Sequence, residues 1–279
     1  MDIGTAKPPA SLLAVVPHHL VDILEPSQGF SAADFVRLAD EAVQQISSRG
    51  AVPLVVGGAM FYARTLLYGL PETPPSDPDV RQALIAWVER DGLPAVYAEL
   101  AAVDAETAGR LHINDRSRIL RAMEVCRITG RPLSTFRPSP RAAGRDAVLF
   151  AVRRSRSDLN GRIDARVDQM MANGLADEVA RLAASGFGAV APGMASIGYA
   201  EFFDEDGRLR GREAHGAATA LIKRNSHRFA KRQMTFARRL PVDTWLDLPS
   251  DKGAGDAVAS MAAAAADVAR SLQSGEPNP

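Results

Sequence analysis

Between Ala214 and Val242 the chain carries no acidic residue, while Lys223, Arg224, Arg228, Lys231, Arg232, Arg238 and Arg239 supply seven positive charges. The protein as a whole has 33 basic and 33 acidic residues, so this is a local excess on a neutral background. Ile222, Phe229 and Phe236 recur every seven residues and are expected to anchor one helix face. Lys223, His227 and Lys231 step by four along one adjoining row, and Arg224, Arg228 and Arg232 along another. Two chemistries fit this pattern: a solvated face paired to acids on neighbouring elements, or a track for the phosphates of an RNA backbone.

Two further stretches place arginines at helical spacing. In NDRSRILRAMEV, Arg118 and Arg121 share a flank of a helix whose buried arc is Ile119, Ala122, Met123 and Cys126. Arginines three apart can clamp adjacent phosphates, and pairing to Glu124 or other acids accounts for the same spacing. In LNGRIDARVDQMM, Leu159, Ile163 and Val167 turn inward, and Arg162 and Arg166 are four apart, where an arginine can hold a diphosphate. Asp164 and Asp168 are also four apart; lacking a third ligand, they are expected to pair with those arginines rather than bind a metal. His18 and His19 adjoin without metal-ligand spacing, which favours capping or core roles.

The frame for these residues is an alternation of strand and helix over 279 residues, 46% of them hydrophobic. PHHLVDIL (17–24) is expected as a strand. Next comes a helix with Ser31 as N-cap, Asp34 completing a capping box, Phe30 and Phe35 at staple positions and Gly50 as stop. Its Phe35, Leu38, Ala39, Ala42, Val43 and Ile46 face is expected to pack on a sheet. VPLVV (52–56) reads as a buried parallel strand, and Gly57 and Gly58 turn the chain into the helix AMFYARTLLYGL. From PETPPSDPDV to about residue 136 the pattern is helical. A strand returns at DAVLFAVRR (146–154), followed by helices after Ser157, at DEVARLAASG and near 212–239. A last strand at PVDTWLDL (241–248), a surface helix over 256–272 and a frayed SGEPNP tail complete the chain. Strand, glycine turn, helix is the α/β signature, with ligands at the carboxyl ends of strands.

Cys126 is the sole cysteine, so neither an intramolecular disulfide nor a Cys-rich metal site is available, and a reducing cytoplasm is the expected location. No apolar run approaches the ~20 residues of a membrane span. MDIGTAKPP enters directly into what reads as the middle of a loop, so Met1 is either a start with a ragged first segment or an internal methionine.

MDIGTAKP, VPHHLVDIL, FSAADF, PLVVGGAMFY, NDRSRILRAMEV, RIDARVDQMMANGL, ASIGYAEF and FAKRQMTFARR follow the order and spacing of the tRNA dimethylallyltransferases, or isopentenyl-tRNA transferases, and the chain resembles that family along nearly its whole length. The resemblance implies a P-loop-type, nucleotide-binding α/β core with a parallel sheet, comprising 1–75 and 141–279, and an all-helical insertion domain at 76–140. It implies transfer of a dimethylallyl group from dimethylallyl diphosphate to the N6 amine of the adenine 3′ of the anticodon. It also implies a cytoplasmic monomer with no membrane partner, using Mg²⁺ brought by the diphosphate.

In family members a first strand, a GxxxxGK[ST]-type loop and an aspartate regarded as the general base precede DIGTAKP. The 279 residues contain no such loop, and GGAMFY, with no Lys-Ser/Thr pair, cannot replace it. The expectation is a chain truncated at its N-terminus and inactive or poorly active alone; the alternative is a non-catalytic tRNA-binding remnant. By resemblance Arg166 is the catalytic arginine that contacts the diphosphate and stabilises its departure. The same resemblance assigns tRNA contacts to Gly58, Ala59, Arg81, Ser117, Arg118, Ile119, Leu120 and Arg121. It adds Ala195, Ser196, Ile197, Gly198, Tyr199, Lys231, Arg232, Gln233, Thr235 and Arg238. Recognition is expected to use a flipped adenine and a single-stranded loop as well as backbone charge. The family commonly has Thr where Ala59 stands and Trp where Phe236 stands.

Overall fold

The structure is a computed structural model that describes residues 1–136, 147–248 and 254–274. The expected domain boundary at 140–141, the start of the DAVLFAVRR strand and most of the SGEPNP tail lie outside these residues. In chain order the elements are α1 (Ala10–Leu13), α2 (Ala32–Ser47), α3 (Met60–Tyr68), α4 (Pro78–Asp91), α5 (Leu93–Val103), α6 (Ala105–Arg110), α7 (Arg116–Thr129), β1 (Phe150–Arg153), α8 (Arg156–Ala172), α9 (Leu175–Ala184), α10 (His215–Ala237), β2 (Thr244–Asp247) and α11 (Ala254–Ser274). The chain divides into two units, Met1–Leu66 with Asp146–Pro279, and Leu67–Arg145.

In the first unit β1 and β2 pair in parallel, with Phe150 opposite Thr244 and Arg153 opposite Asp247. This is the one sheet among the described residues. Two expected strands do not form. Residues 17–24 are turns, bends and irregular chain, and 52–56 is irregular chain without a ladder partner. Leu54 is 78% exposed and Val56 83%. A continuous apolar run is a buried strand only when neighbours pair with both edges and cover both faces; no described strand lies beside this one. For the same reason α2 has no sheet to pack on: its capping box forms, with the Ser31 hydroxyl accepting from the Asp34 amide, but only Ala39 and Ala42 are buried. Phe30 and Phe35 both meet Tyr62 of α3, edge-on at 6.1 Å and stacked at 4.8 Å.

The core of the first unit is built by α8, α9, α10 and the 194–203 segment, with Ile163, Val167, Leu175, Val179, Met194, Tyr199, Phe202 and Ile222 buried. Met1 and Ile3 pack against it. The core of the second unit joins α4 to α7 through Leu84, Val96, Leu100, Ile119, Leu120 and Met123. Within it Glu124 is buried and accepts from the Ser76 hydroxyl at 2.5 Å, the Asp77 amide at 3.1 Å and Arg121 at 2.8 Å. Arg121 also donates to Thr73 and to the Pro74 carbonyl, so α7 holds the proline-rich 73–77 stretch in place.

Candidate nucleic-acid interface

α10 divides its charges between the two readings. Lys223 lies 2.6 Å from Asp168 of α8, and His227 Nε2 lies 2.9 Å from Asp164, also on α8 and off hydrogen-bond geometry. A step of four forward on α10 is a step of four back on α8, so the helices run antiparallel with Lys223 and His227 between them, while Lys231 of the same row is exposed. The expected pairing of Asp164 and Asp168 with Arg162 and Arg166 is therefore corrected: Arg162 pairs with Asp158 instead. The second row is different. Arg224, Arg228 and Arg232 are exposed. Among the described residues no acid pairs with any of them, nor with Lys231, Arg238 or Arg239; Arg232 lies over the Phe229 ring, 5.8 Å from its centroid.

The expected apolar anchor along α10 is also corrected in part. Ile222 is buried, but Phe229 is 43% exposed and Phe236 half-buried. Residues seven apart drift by only ~20° per heptad and keep to one face, so the difference lies in cover: Ile222 packs in the core with α8 and the 194–203 segment, and Phe229 and Phe236 lie outside that core. Phe229 and Phe236 lie instead beside the free cations, and Phe236 lines a cavity of about 380 Å³ with Arg228, Lys231, Arg232, Thr235 and Arg239. A second cavity of about 290 Å³ shares Arg228 and Arg232 and is walled by Ala195, Ile197, Ala200, Glu201 and Asn225. Cations beside small apolar walls can hold a phosphate and seat a base.

The remaining segments of the first unit converge on this helix. Gln233 donates to the Gly58 carbonyl at 2.9 Å, and a Cβ on Gly58 would collide with that amide. Ala59, Ala195 and Ser196 are exposed, Ile197 is half-buried, and Gly198 and Tyr199 are buried. Glu201 is buried and takes the Gly198 amide at 2.9 Å on one oxygen and the Asn225 side chain at 2.8 Å on the other. This fixes the ASIGY turn to α10. Lys231, Arg232, Thr235 and Arg238 are exposed, with the Thr235 hydroxyl turned back to the Lys231 carbonyl.

Glu178 of α9 was not singled out by sequence. Only 4% exposed, it accepts from the Tyr199 hydroxyl at 2.5 Å and from the amides of Asp2 at 2.8 Å, Ile3 at 3.0 Å and Gly4 at 3.4 Å. Burial pushes the Glu178 carboxyl up, but the Tyr199 and backbone donors outweigh it and hold it below the ordinary glutamate value. Burial and the facing carboxylate push the Tyr199 phenol well above its usual range. The signal for Glu178 lies in its position: spaced three and four from Leu175 and Leu182, it sits on the apolar arc of its helix, where a charge must find partners.

Arg166 is exposed on α8, with no partner among the described residues. In the second unit Ser117 and Arg118 are exposed, Arg118 lying 3.3 Å from Asp115, and Arg81 approaches Glu124 at 3.9 Å. Ile119 and Leu120 are buried. Their side chains, like that of Tyr199, pack in the cores of their units. Arg121 is engaged as described, which is the paired reading of its spacing. His18 is exposed and contacts the Val16 carbonyl at 2.6 Å, and His19 is exposed; neither enters the core. Among the described residues no group of three or more His, Cys, Asp or Glu could hold a metal ion, and no helix is long and apolar enough to cross a membrane.

The chain is similar to known proteins along most of its length. The family model for IPP transferase matches residues 1–240. A tRNA dimethylallyltransferase 1 of Citrifermentans bemidjiense is 44% identical over 253 residues, 89% of this chain and 80% of the relative. A tRNA dimethylallyltransferase of Geobacter sulfurreducens is 41% identical over 90% of this chain and 80% of its own. The crystal structure of a full-length tRNA isopentenylpyrophosphate transferase from Bacillus halodurans superposes with a TM-score of 0.65, at 33% identity over 98% of this chain and 86% of that one. With a family match over most of its length and relatives above 40% identity, the chain belongs to the tRNA dimethylallyltransferases.

Proposed function

We propose that the free cations of α10 and the cavities beside them bind the anticodon stem-loop of tRNA, in an enzyme that prenylates the N6 amine of the adenine 3′ of the anticodon. The observation that carries this is the division of α10: Lys223 and His227 are spent on α8, while Arg228, Lys231 and Arg232 remain unpaired beside Ala195, Ile197 and Phe236. In the reaction the adenine amine attacks C1 of the dimethylallyl group, the C1–oxygen bond breaks, diphosphate leaves with the electron pair, and the amine loses a proton to a base. Arg166, exposed and unpartnered, is suited to neutralise charge growing on the diphosphate. Magnesium would arrive on the phosphates with its water; the described residues offer no ligand set for it.

The 279 residues hold no GxxxxGK[ST] loop, and the Val52–Val56 run lacks the neighbouring strand that its composition calls for. We propose that the chain alone binds RNA but turns over poorly, in a cytoplasmic setting. Fluorescence anisotropy with a labelled anticodon hairpin tests the binding: the hairpin should bind more tightly than its stem as a closed duplex. Equal affinity for both would reject recognition of the loop.

A further inference from the structure

We infer that Glu178 is a positioning residue for the α10 face, fixing the Asp2–Gly4 backbone and the Gly198–Tyr199 turn as one piece against which Arg228 and Arg232 act. The inference rests on the RNA-binding reading above. A carboxylate on the apolar arc of a helix is costly unless saturated, and this one is saturated from two segments remote in sequence. Three successive backbone N–H groups converge on it, the arrangement that elsewhere cradles an external anion. Here the protein supplies the anion itself, so the first loop is held by a fixed charge.

Two glycines show how closely the pieces fit. A Cβ on Gly4 would collide with the Tyr199 ring, and a Cβ on Gly198, already strained at φ +100°, would rest 3.7 Å from the Gly4 Cα and carbonyl oxygen. From that turn the path continues to α10: the Gly198 amide donates to Glu201, whose other oxygen holds Asn225. Asn225 stands one helical turn before Arg228, and Glu201, Asn225 and Arg228 line the same cavity. Loosening Glu178 therefore frees the cavity wall while leaving every free cation in place.

The variant Glu178→Gln keeps the size but puts an amide donor where four donors already point. Hydrogen exchange at Asp2–Gly4 should accelerate. Affinity for the labelled anticodon hairpin should fall about tenfold, within the range of couplings carried through packed networks, while its salt dependence stays as in the wild type because no cation is lost. Glu178→Asp, retaining the charge, should recover part of the affinity. Tyr199→Phe removes one donor and should act in the same direction, non-additively with Glu178→Gln; it decides the matter if the glutamine variant fails to fold. Faster exchange with wild-type affinity in the folded variant would reduce Glu178 to a structural fastener. A wild-type chain that does not bind the hairpin would instead remove the RNA-binding reading, and this inference with it.

Discussion

Replacing Arg228, Lys231 and Arg232 together by alanine separates a nucleic-acid face from an ordinary solvated one. These three line the cavities beside α10 and have no acidic partner among the described residues, so each is free to displace a counterion from a phosphate. For single-stranded contacts each phosphate lost lowers the slope of log affinity against log salt by ~0.7, and the triple variant should lose about two units. The companion variant Lys223→Ala removes a charge already neutralised by Asp168 at 2.6 Å. It should leave the slope unchanged and lower stability by at most ~1 kcal/mol, as a partly exposed ion pair does. Anisotropy titrations of the labelled anticodon hairpin from low to moderate salt measure both. An unchanged slope in the triple variant, or an equal drop in both, would refute the assignment of the free cations to RNA.

Gly58→Ala places a methyl against the Gln233 amide and should break its bond to the Gly58 carbonyl, weakening hairpin binding severalfold at little cost in melting temperature, since the amide can swing away. Glu124→Gln tests the buried carboxylate of the second unit: burial raises its pKa, but Ser76, Arg121 and the Asp77 amide lower it further, leaving it below the usual 4.5. Its contribution is present above that value and lost as pH falls through the lower folded one. The variant should be less stable than wild type by about 2 kcal/mol at pH 7, with the gap closing below pH 4.5 in urea melts. Leu54→Lys with Val56→Lys, at positions 78% and 83% exposed, should raise solubility and change stability by no more than ~0.5 kcal/mol, measured by light scattering and thermal melts.

What the sequence disclosed was local. The Ser31–Asp34 box depends on residues a few positions apart, and it is present. The VPLVV run failed because a strand is a property of its neighbours, and none is described beside it. Charge spacing on α10 gave the rows but not their fates, which depend on Asp164 and Asp168 of a helix some 60 residues away in sequence. Glu178 and Glu201 share one overlooked signal, a carboxylate among buried apolar neighbours. Their partners, amides at residues 2–4 or an asparagine on α10, could not be read from spacing.

The most direct test is product formation. The 279-residue chain, and the same chain joined at Met1 to a family segment carrying a GxxxxGK[ST] loop, would be incubated with unmodified tRNA, dimethylallyl diphosphate and magnesium, and digested nucleosides analysed by mass spectrometry. Lost positioning can cost ~7 kcal/mol or more, so the account predicts prenylated adenosine from the joined protein and next to none from the chain alone. Arg166→Ala in the joined protein should lower turnover about a hundredfold or more with folding retained. Comparable product from both proteins, or none from the joined one, would contradict the account.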